Sequence, residues 1–241
     1  MDHVLNTLGQ PVGRPLPGWA APPRPPREPL AGRFCRLEPL DPEKHGPELF
    51  QANSLDTVGR LWTYLPYGPF DSLDAYLGWI RAECLGEDPL FFAIIENTGG
   101  KALGVASYMR ISPRDGVIEV GHINFSPPLQ RTPAASESLY LLSELVFRLG
   151  YRRLEWKCDA LNTPSRAAAE RLGFRFEGVF RQATIYRGRN RDTAWYSIID
   201  SEWPRLDSAW KRWLNPSNFD TRGRQRERLS VLTAEALERS V

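Results

Sequence analysis

"FSPPLQRTPAASESLYLL", residues 125–142, has the form of a strand end, a kinked loop and an abrupt helix. Pro127 and Pro128 cannot donate to a ladder, so strand pairing stops there. Pro133 sits just inside the helix start, where its missing N–H costs nothing and its fixed φ suits the first turn. Leu139, Leu142, Val146 and Leu149 recur on one helical face, and Gly150 ends it. The unpaired N–H groups of a first turn, at the positive end of the helix dipole, suit an anion. The same residues also read as an ordinary Thr132-capped helix with proline at its start, so the flanks decide.

Upstream lie three strands joined as a meander: "LFFAIIEN" (90–97), "ALGVASYMRI" (102–111) and "VIEVGHINF" (117–125), with turns at Gly99-Gly100 and Arg114-Asp115-Gly116. Before them, "GRFCRLEPL" (32–40) alternates as a strand with one partly wet face. Asp41-Pro42 opens a helix to about Ala52, and Asp71 or Ser72 opens another that Gly86 ends. Downstream, "LEWKCDAL" (154–161) is a strand and "SRAAAERLGF" (165–174) a short helix closed by Gly173. "FEGVFRQATIYRGRNRDTAWYSIID" (176–200) is a long hairpin turning at Gly188. A Trp-rich helix near 203–214 and a basic stretch follow. This order predicts an α/β chain of the α+β kind: a mixed, mostly antiparallel sheet with flanking helices, not a doubly wound parallel one.

The composition is that of a globular protein, with 41% hydrophobic and 25% charged residues. A net charge of +2 gives no global field calling for nucleic acid or an anionic membrane. No apolar run reaches a membrane span, and Cys35, Cys84 and Cys158 are too scattered for a disulfide framework or metal cluster. No metal is expected, and the expected location is cytoplasmic. Eight prolines between Pro11 and Pro29 predict an extended arm, residues 1–31, which Leu16, Trp19 and Leu30 would anchor along the domain surface. The domain proper is read as residues 32–200, with a helical extension over 201–241.

Four stretches carry a family resemblance: "IEVGHINFSPPLQRTPAASE" (118–137), "LGYRRLEWKCDALNTPSRAAAERLGFRFEG" (149–178), the meander over 91–125, and "YRGRNRDTAWYSIID" (186–200). They resemble the GNAT superfamily of acetyl-CoA-dependent N-acetyltransferases, in particular its RimJ/RimL-like branch. The resemblance implies a sheet splayed at the cofactor site and acetyl-CoA as co-substrate. The family's diphosphate loop, Gln/Arg-x-x-Gly-x-Gly/Ala, falls on Gln130, Arg131, Thr132, Pro133, Ala134 and Ala135, matching at both ends but not at the central glycine. By resemblance, main-chain groups of Asn124, Phe125 and Ser126 bind the pantetheine arm. Asn162 and Ser165 match positions near the pantetheine or the thioester, and Asn162 reads equally as a helix cap.

Direct acetyl transfer to an amine requires a neutral amine, a site for the developing oxyanion and a proton for the departing thiolate. Glu119 matches the strand where family members often carry a catalytic glutamate, and it reads equally as a strand residue paired with an arginine. His122 is the second candidate base, its ordinary pKa being suited to the task. On a regular strand the two point to opposite faces, so only a bulge brings both into one cleft. Many relatives carry a tyrosine acid where this chain has Ala169, which leaves Ser165 as the candidate proton donor. Trp62, Tyr64 and Tyr67 in "GRLWTYLPYGPF" (59–70) read as an acceptor wall or as core. Arg187, Arg189 and Arg191 read as attractors of an acidic acceptor or as a solvated hairpin tip.

The expected activity is N-acetylation of a primary amine, on a peptide or protein N-terminus or a small molecule. The alternative is a catalytically degenerate acyl-CoA-binding regulatory module, for which Pro133 and Ala169 argue. Between Arg205 and Arg228 seven Lys/Arg stand against three Asp/Glu. That stretch reads as a docking helix before it reads as a nucleic-acid site. The acceptor's identity and the oligomeric state stay open.

Overall fold

The computed structural model of the protein describes residues 3–238. Eight strands form the main sheet: β3 (Leu30–Ala31), β4 (Cys35–Pro39), β5 (Leu90–Glu96), β6 (Ala102–Ser112), β7 (Val117–Phe125), β8 (Arg153–Asp159), β9 (Arg175–Tyr186) and β10 (Arg189–Ile199). Their order across the sheet is β3-β4-β5-β6-β7-β8-β10-β9. Every neighbouring pair is antiparallel except β7 and β8. This is the mixed, mostly antiparallel architecture that the meander predicted.

Side-chain caps set the helix starts. Asp41 accepts from the amides of Glu43 and Lys44 to open α1 (Pro42–Asn53), and Ser72 accepts from Ala75 to open α2 (Leu73–Glu83). Thr132 opens α3 (Pro133–Arg148) and Asn162 opens α4 (Thr163–Arg171) in the same manner. Helix α3 crosses from β7 to β8 and buries Leu139, Leu142 and Val146 against one sheet face. Helices α1 and α2 cover the other, where Leu49, Ile80 and Phe91 form a second core with Trp62. The two layers leave β7 and β8 as the sheet's centre, where a gap exposes both strands to ligand.

The arm lies along the domain through Trp19 and Leu30, whereas Leu16, also expected as an anchor, is exposed. Trp19 lies flat on Gly116, where a Cβ would come within 2.5 Å of the indole, and the Arg152 guanidinium sits 5.5 Å from its ring centre. Arg24 and Arg27 donate to the carbonyls of Glu87 and Leu85, each at 3.2 Å. Ahead of this stretch, β1 (His3–Leu5) and β2 (Pro11–Gly13) form a separate small hairpin.

The extension is built into the domain. Helix α5 (Trp203–Leu214) buries Leu206, Trp210 and Trp213, and α6 (Leu229–Glu238) buries Leu229 and Leu232 in the same core. Trp210 donates to the Leu172 carbonyl at 3.3 Å, and Thr233 to the Arg171 carbonyl at 3.1 Å. The helical extension expected over 201–241 thus consists of two helices, the second following the spacing of Leu229, Leu232 and Ala236. Among the described residues, no helix is long and apolar enough to cross a membrane.

Candidate active site

Strands β7 and β8 pair only from Val117 opposite Arg153 to Val120 opposite Trp156. Beyond that point they diverge, and a cleft of about 1210 Å³ opens through the sheet. Two features of β7 cause the divergence. Pro127 and Pro128 end its ladder, and a bulge sets His122 and Ile123 together against Ala106, between the pairs Gly121–Ser107 and Asn124–Val105. His122 takes the left-handed φ of 49° at that bulge, a conformation that a non-glycine residue adopts at an energetic cost.

The bulge reverses the alternation of side chains. Ile118 and Val120 before it, and Ile123 and Phe125 after it, all pack toward the α3 core. Glu119, His122 and Asn124 therefore share the α1–α2 face, and all three line the cleft. The regular-strand expectation that Glu119 and His122 oppose each other is corrected by this one extra residue.

Glu119 is buried, and its Oε2 is paired with Arg110 at 2.7 Å and Lys157 at 2.9 Å. Lys157 also holds Glu155 at 2.7 Å and lies 3.8 Å over the Trp195 ring. Glu119 thus has the ion pairing that one of its sequence readings gave it, and it also lines the cleft. His122 stacks on Tyr67 and lies against Phe91, ring centres 5.6 and 5.0 Å away. Burial pushes its pKa down to about 4, with nearby Arg110 adding to the effect. Burial also keeps Tyr67 a phenol, pushing its pKa well above the ordinary value. The Tyr67 hydroxyl and His122 Nδ1 share a hydrogen bond of 3.1 Å. His122 is neutral at pH 7.

A stability test follows. Between an ordinary imidazole pKa of 6.5 and about 4, the unfolded chain binds a proton that the folded chain refuses. Stability therefore falls as pH is lowered through that window, by up to about 3 kcal/mol. Urea denaturation at pH 7 and pH 4.5 is expected to show this loss in the native chain and a smaller one in His122→Gln. Equal losses would show that His122 is not held neutral.

Asn124 is buried, and neither its Oδ1 nor its Nδ2 has a hydrogen-bond partner within the chain. Ser126 donates its amide to the Leu103 carbonyl at 3.1 Å. Strand alternation then turns Asn124 and Ser126 main-chain groups toward β6, and those of Ile123 and Phe125 toward the gap. The expectation for this stretch is corrected accordingly. The Phe125 main chain faces the gap, Asn124 lines the cleft with its side chain, and Ser126 is wholly buried in sheet contacts, its hydroxyl also on Leu103.

At the α3 mouth, Gln130, Arg131, Thr132 and Ala135 line the cleft, whereas Ala134 is buried behind it. The Thr132 hydroxyl is spent locally, donating to the Leu129 carbonyl at 2.7 Å and accepting from the Ala135 amide at 3.2 Å. The first-turn N–H of Ala134 has no intrahelical acceptor, and neither the cap nor Pro133 removes it. Arg131 takes a left-handed φ of 61° and extends to the surface. Gln130 donates to the Phe125 carbonyl at 2.9 Å, tying the loop to the splayed strand.

Across the gap, Asn162 caps α4 by accepting from the Ser165 amide at 3.1 Å, and it also lines the cleft. The Ser165 Oγ accepts from Trp156 Nε1 at 3.1 Å, and its hydroxyl is also hydrogen-bonded with the Cys158 thiol. Ala169 is fully buried and absent from the lining.

Of the three aromatic residues expected to bind acceptor, only Tyr64 lines the cleft. Trp62 is core, edge-on to Tyr67 and Phe70 at 6.3 and 5.5 Å. Tyr67 lies behind the lining, hydrogen-bonded to and stacked on His122. Arg187 is held by the carbonyls of Trp62 and Gly68, Arg189 lies away from the cleft, and Arg191 lines it with a buried, unpartnered Nε. Sequence reading missed Arg60, Arg110, Lys157, Asp159 and Arg171, and all the lining from the extension, because nothing local marks them.

The sequence model described as "Acetyltransferase (GNAT) domain" matches residues 35–175. A GCN5-related N-acetyltransferase from Brucella melitensis is 47% identical, with a TM-score of 0.89 over 91% of this chain and 100% of that one. A probable GNAT-family acetyltransferase from Chromobacterium violaceum is 40% identical, with a TM-score of 0.76 over 81% and 98% of the two chains. RimL, a ribosomal L7/L12 alpha-N-protein acetyltransferase solved with coenzyme A, shares the fold at 24% identity, with a TM-score of 0.60 over 70% and 97%. No curated protein matches the chain. The chain therefore belongs to the GNAT family, is an N-acetyltransferase, and takes acetyl-CoA as its acetyl donor.

Proposed function

We propose that the protein acetylates, by direct transfer, the amino group of a peptide N-terminus or small amine that enters from the α1–α2 side, where Glu119, His122 and Asn124 converge. The observation that carries this reading is the β7 bulge, which gathers those three side chains at the acceptor end of the cleft. The residues present suit acetyl-CoA. An orphan Asn124 amide, the free edge of β7 and the basic mouth of α3 each offer hydrogen-bonding or charge capacity that the chain itself does not use. When bound, acetyl-CoA supplies an activated acetyl thioester.

The chain's own groups then divide the work. An α-amino group, with a pKa of roughly 7.7–8.0, is readily neutral near physiological pH and needs little from a base. Its surplus proton leaves through water toward Glu119, whose Oε2 is already held by Arg110 and Lys157. Main-chain N–H groups on the open edge of β7 stabilise the developing oxyanion. The Ser165 hydroxyl, its oxygen already accepting from Trp156, hydrogen-bonds the departing sulfur and relays a proton to it from water, taking the water's proton as it gives up its own. Arg60, Arg110, Lys157 and Arg191 outnumber Glu119 and Asp159 in the lining, which favours acceptors that carry a carboxylate near the amine.

The test joins calorimetry with acetyl-CoA to a thiol-release screen over N-terminal peptides and small amines, acidic and basic. Turnover is expected on acidic peptides ahead of basic ones. Ser165→Ala is expected to lower kcat by about 10- to 100-fold with acetyl-CoA affinity unchanged. An unchanged kcat would remove Ser165 from proton transfer. Binding without turnover on any amine would favour the acyl-CoA-sensing module instead.

A further inference from the structure

The cleft does not end at the α3 mouth. It continues outward between α4 and the C-terminal extension, lined there by Trp213, Phe219, Arg224, Arg228 and Leu229. All five lie beyond the family match, which stops at residue 175. Arginines reach this end from separate elements: Arg131 from the loop before α3, Arg171 from the last turn of α4, and Arg228 from the residue before α6. The acids lining the cleft, Glu119 and Asp159, belong to β7 and β8 at the splay and leave this end uncompensated.

The other arginines of the extension show what compensation looks like. Arg224 pairs with Asp220 at 2.8 Å, and Arg212 with Glu227. Arg131 and Arg228 have no ion pair among the described residues. Arg171 is half-buried, and its recorded side-chain contact is the neutral Ser136 hydroxyl at 3.0 Å. Burial pushes its pKa below the ordinary arginine value with no carboxylate to offset it. Three guanidiniums that line one cleft without a carboxylate partner favour a multiply charged anion.

We propose that the extension completes the coenzyme site, and that Arg228, acting with Arg171 and Arg131, recognises the 3′-phosphate on the ADP end of coenzyme A. The inference rests on the assignment of the α3 mouth to the coenzyme diphosphate, from which the ADP end continues outward toward α6. Trp213, Phe219 and Leu229 give the same opening an apolar side on which a purine packs. Arg228 is exposed at the start of α6 and carries no internal contact by its side chain, so the chain folds without it.

The test is calorimetric titration of the full chain with coenzyme A and with 3′-dephospho-coenzyme A, for the native protein, Arg228→Gln and Arg131→Gln. The native protein is expected to bind coenzyme A at least about tenfold more tightly than the dephospho form. Arg228→Gln is expected to lose most of that preference while binding the dephospho form as the native protein does. Equal affinity of the native protein for both ligands would overturn the proposal, as would an equal loss for both in Arg228→Gln, which would make the residue merely structural. Failure of the native chain to bind either ligand would instead remove the α3-mouth assignment, and the proposal with it.

Discussion

Glu137→Ala is expected to lower the unfolding free energy by about 3 kcal/mol or more, and the melting temperature by roughly 6–12 °C. Glu137 lies in the second turn of α3, buried, and its carboxylate accepts from the three amides that lead into β4. Oε1 takes Arg33 at 2.8 Å, and Oε2 takes Phe34 at 2.6 Å and Cys35 at 2.9 Å. Gly32 is required beside it, because a Cβ there would lie 2.6 Å from the carboxyl group. Alanine strands three donors, one of them fully buried, where the surrounding chain offers no substitute acceptor. Glu137→Gln keeps the shape and one acceptor oxygen and is expected to lose about half as much. The clasp also fixes the start of α3 against β4, so weaker coenzyme binding accompanies the stability loss in both variants. Urea and thermal denaturation with calorimetry check both. A loss below about 1 kcal/mol for alanine would show that water replaces the carboxylate and that the clasp does not define the fold.

This clasp marks where reading the sequence stops. Helix starts were legible at Asp41, Ser72, Thr132 and Asn162 because a cap is a local contract between a side chain and an amide two or three residues on. The meander was legible from its turns, and the splay from Pro127-Pro128 with the family resemblance. The Glu137 clasp joins residues about a hundred positions apart, and no local pattern encodes it. The bulge at His122 was equally hidden. Histidine is not a residue that advertises a positive φ, yet that one dihedral decides which side chains meet in the cleft. Trp62, Tyr64 and Tyr67 show a different limit. An aromatic cluster looks alike from sequence whether it walls a site or fills a core, and here Tyr64 lines the cleft while Trp62 is buried beneath. The extension was read as a docking helix, which its buried Trp210 and Trp213 bear out. Its share in the cleft required knowing where α6 returns.

The Asn124 side chain gives the sharpest separation of stability from activity. Both of its polar atoms are buried without a partner in the chain, at a cost of about 1–3 kcal/mol relative to an apolar residue of the same shape. Buried amides are otherwise satisfied, so a ligand group is the natural partner for this one. Asn124→Leu removes both unsatisfied atoms and nearly conserves volume, opposite Val105 in an apolar setting. It is expected to raise the unfolding free energy by about 1–2 kcal/mol and to lower kcat/KM by about 30- to 100-fold, the equivalent of two lost hydrogen bonds. Calorimetry with acetyl-CoA then locates the loss. A weaker coenzyme affinity assigns the amide to the pantetheine arm, and an unchanged affinity with a lower kcat assigns it to the acceptor or the oxyanion. Asn124→Asp keeps an acceptor and removes the donor, so a comparable loss there identifies Nδ2 as the working atom. A leucine variant that is less stable, or equally active, would mean that the amide serves the fold rather than the reaction.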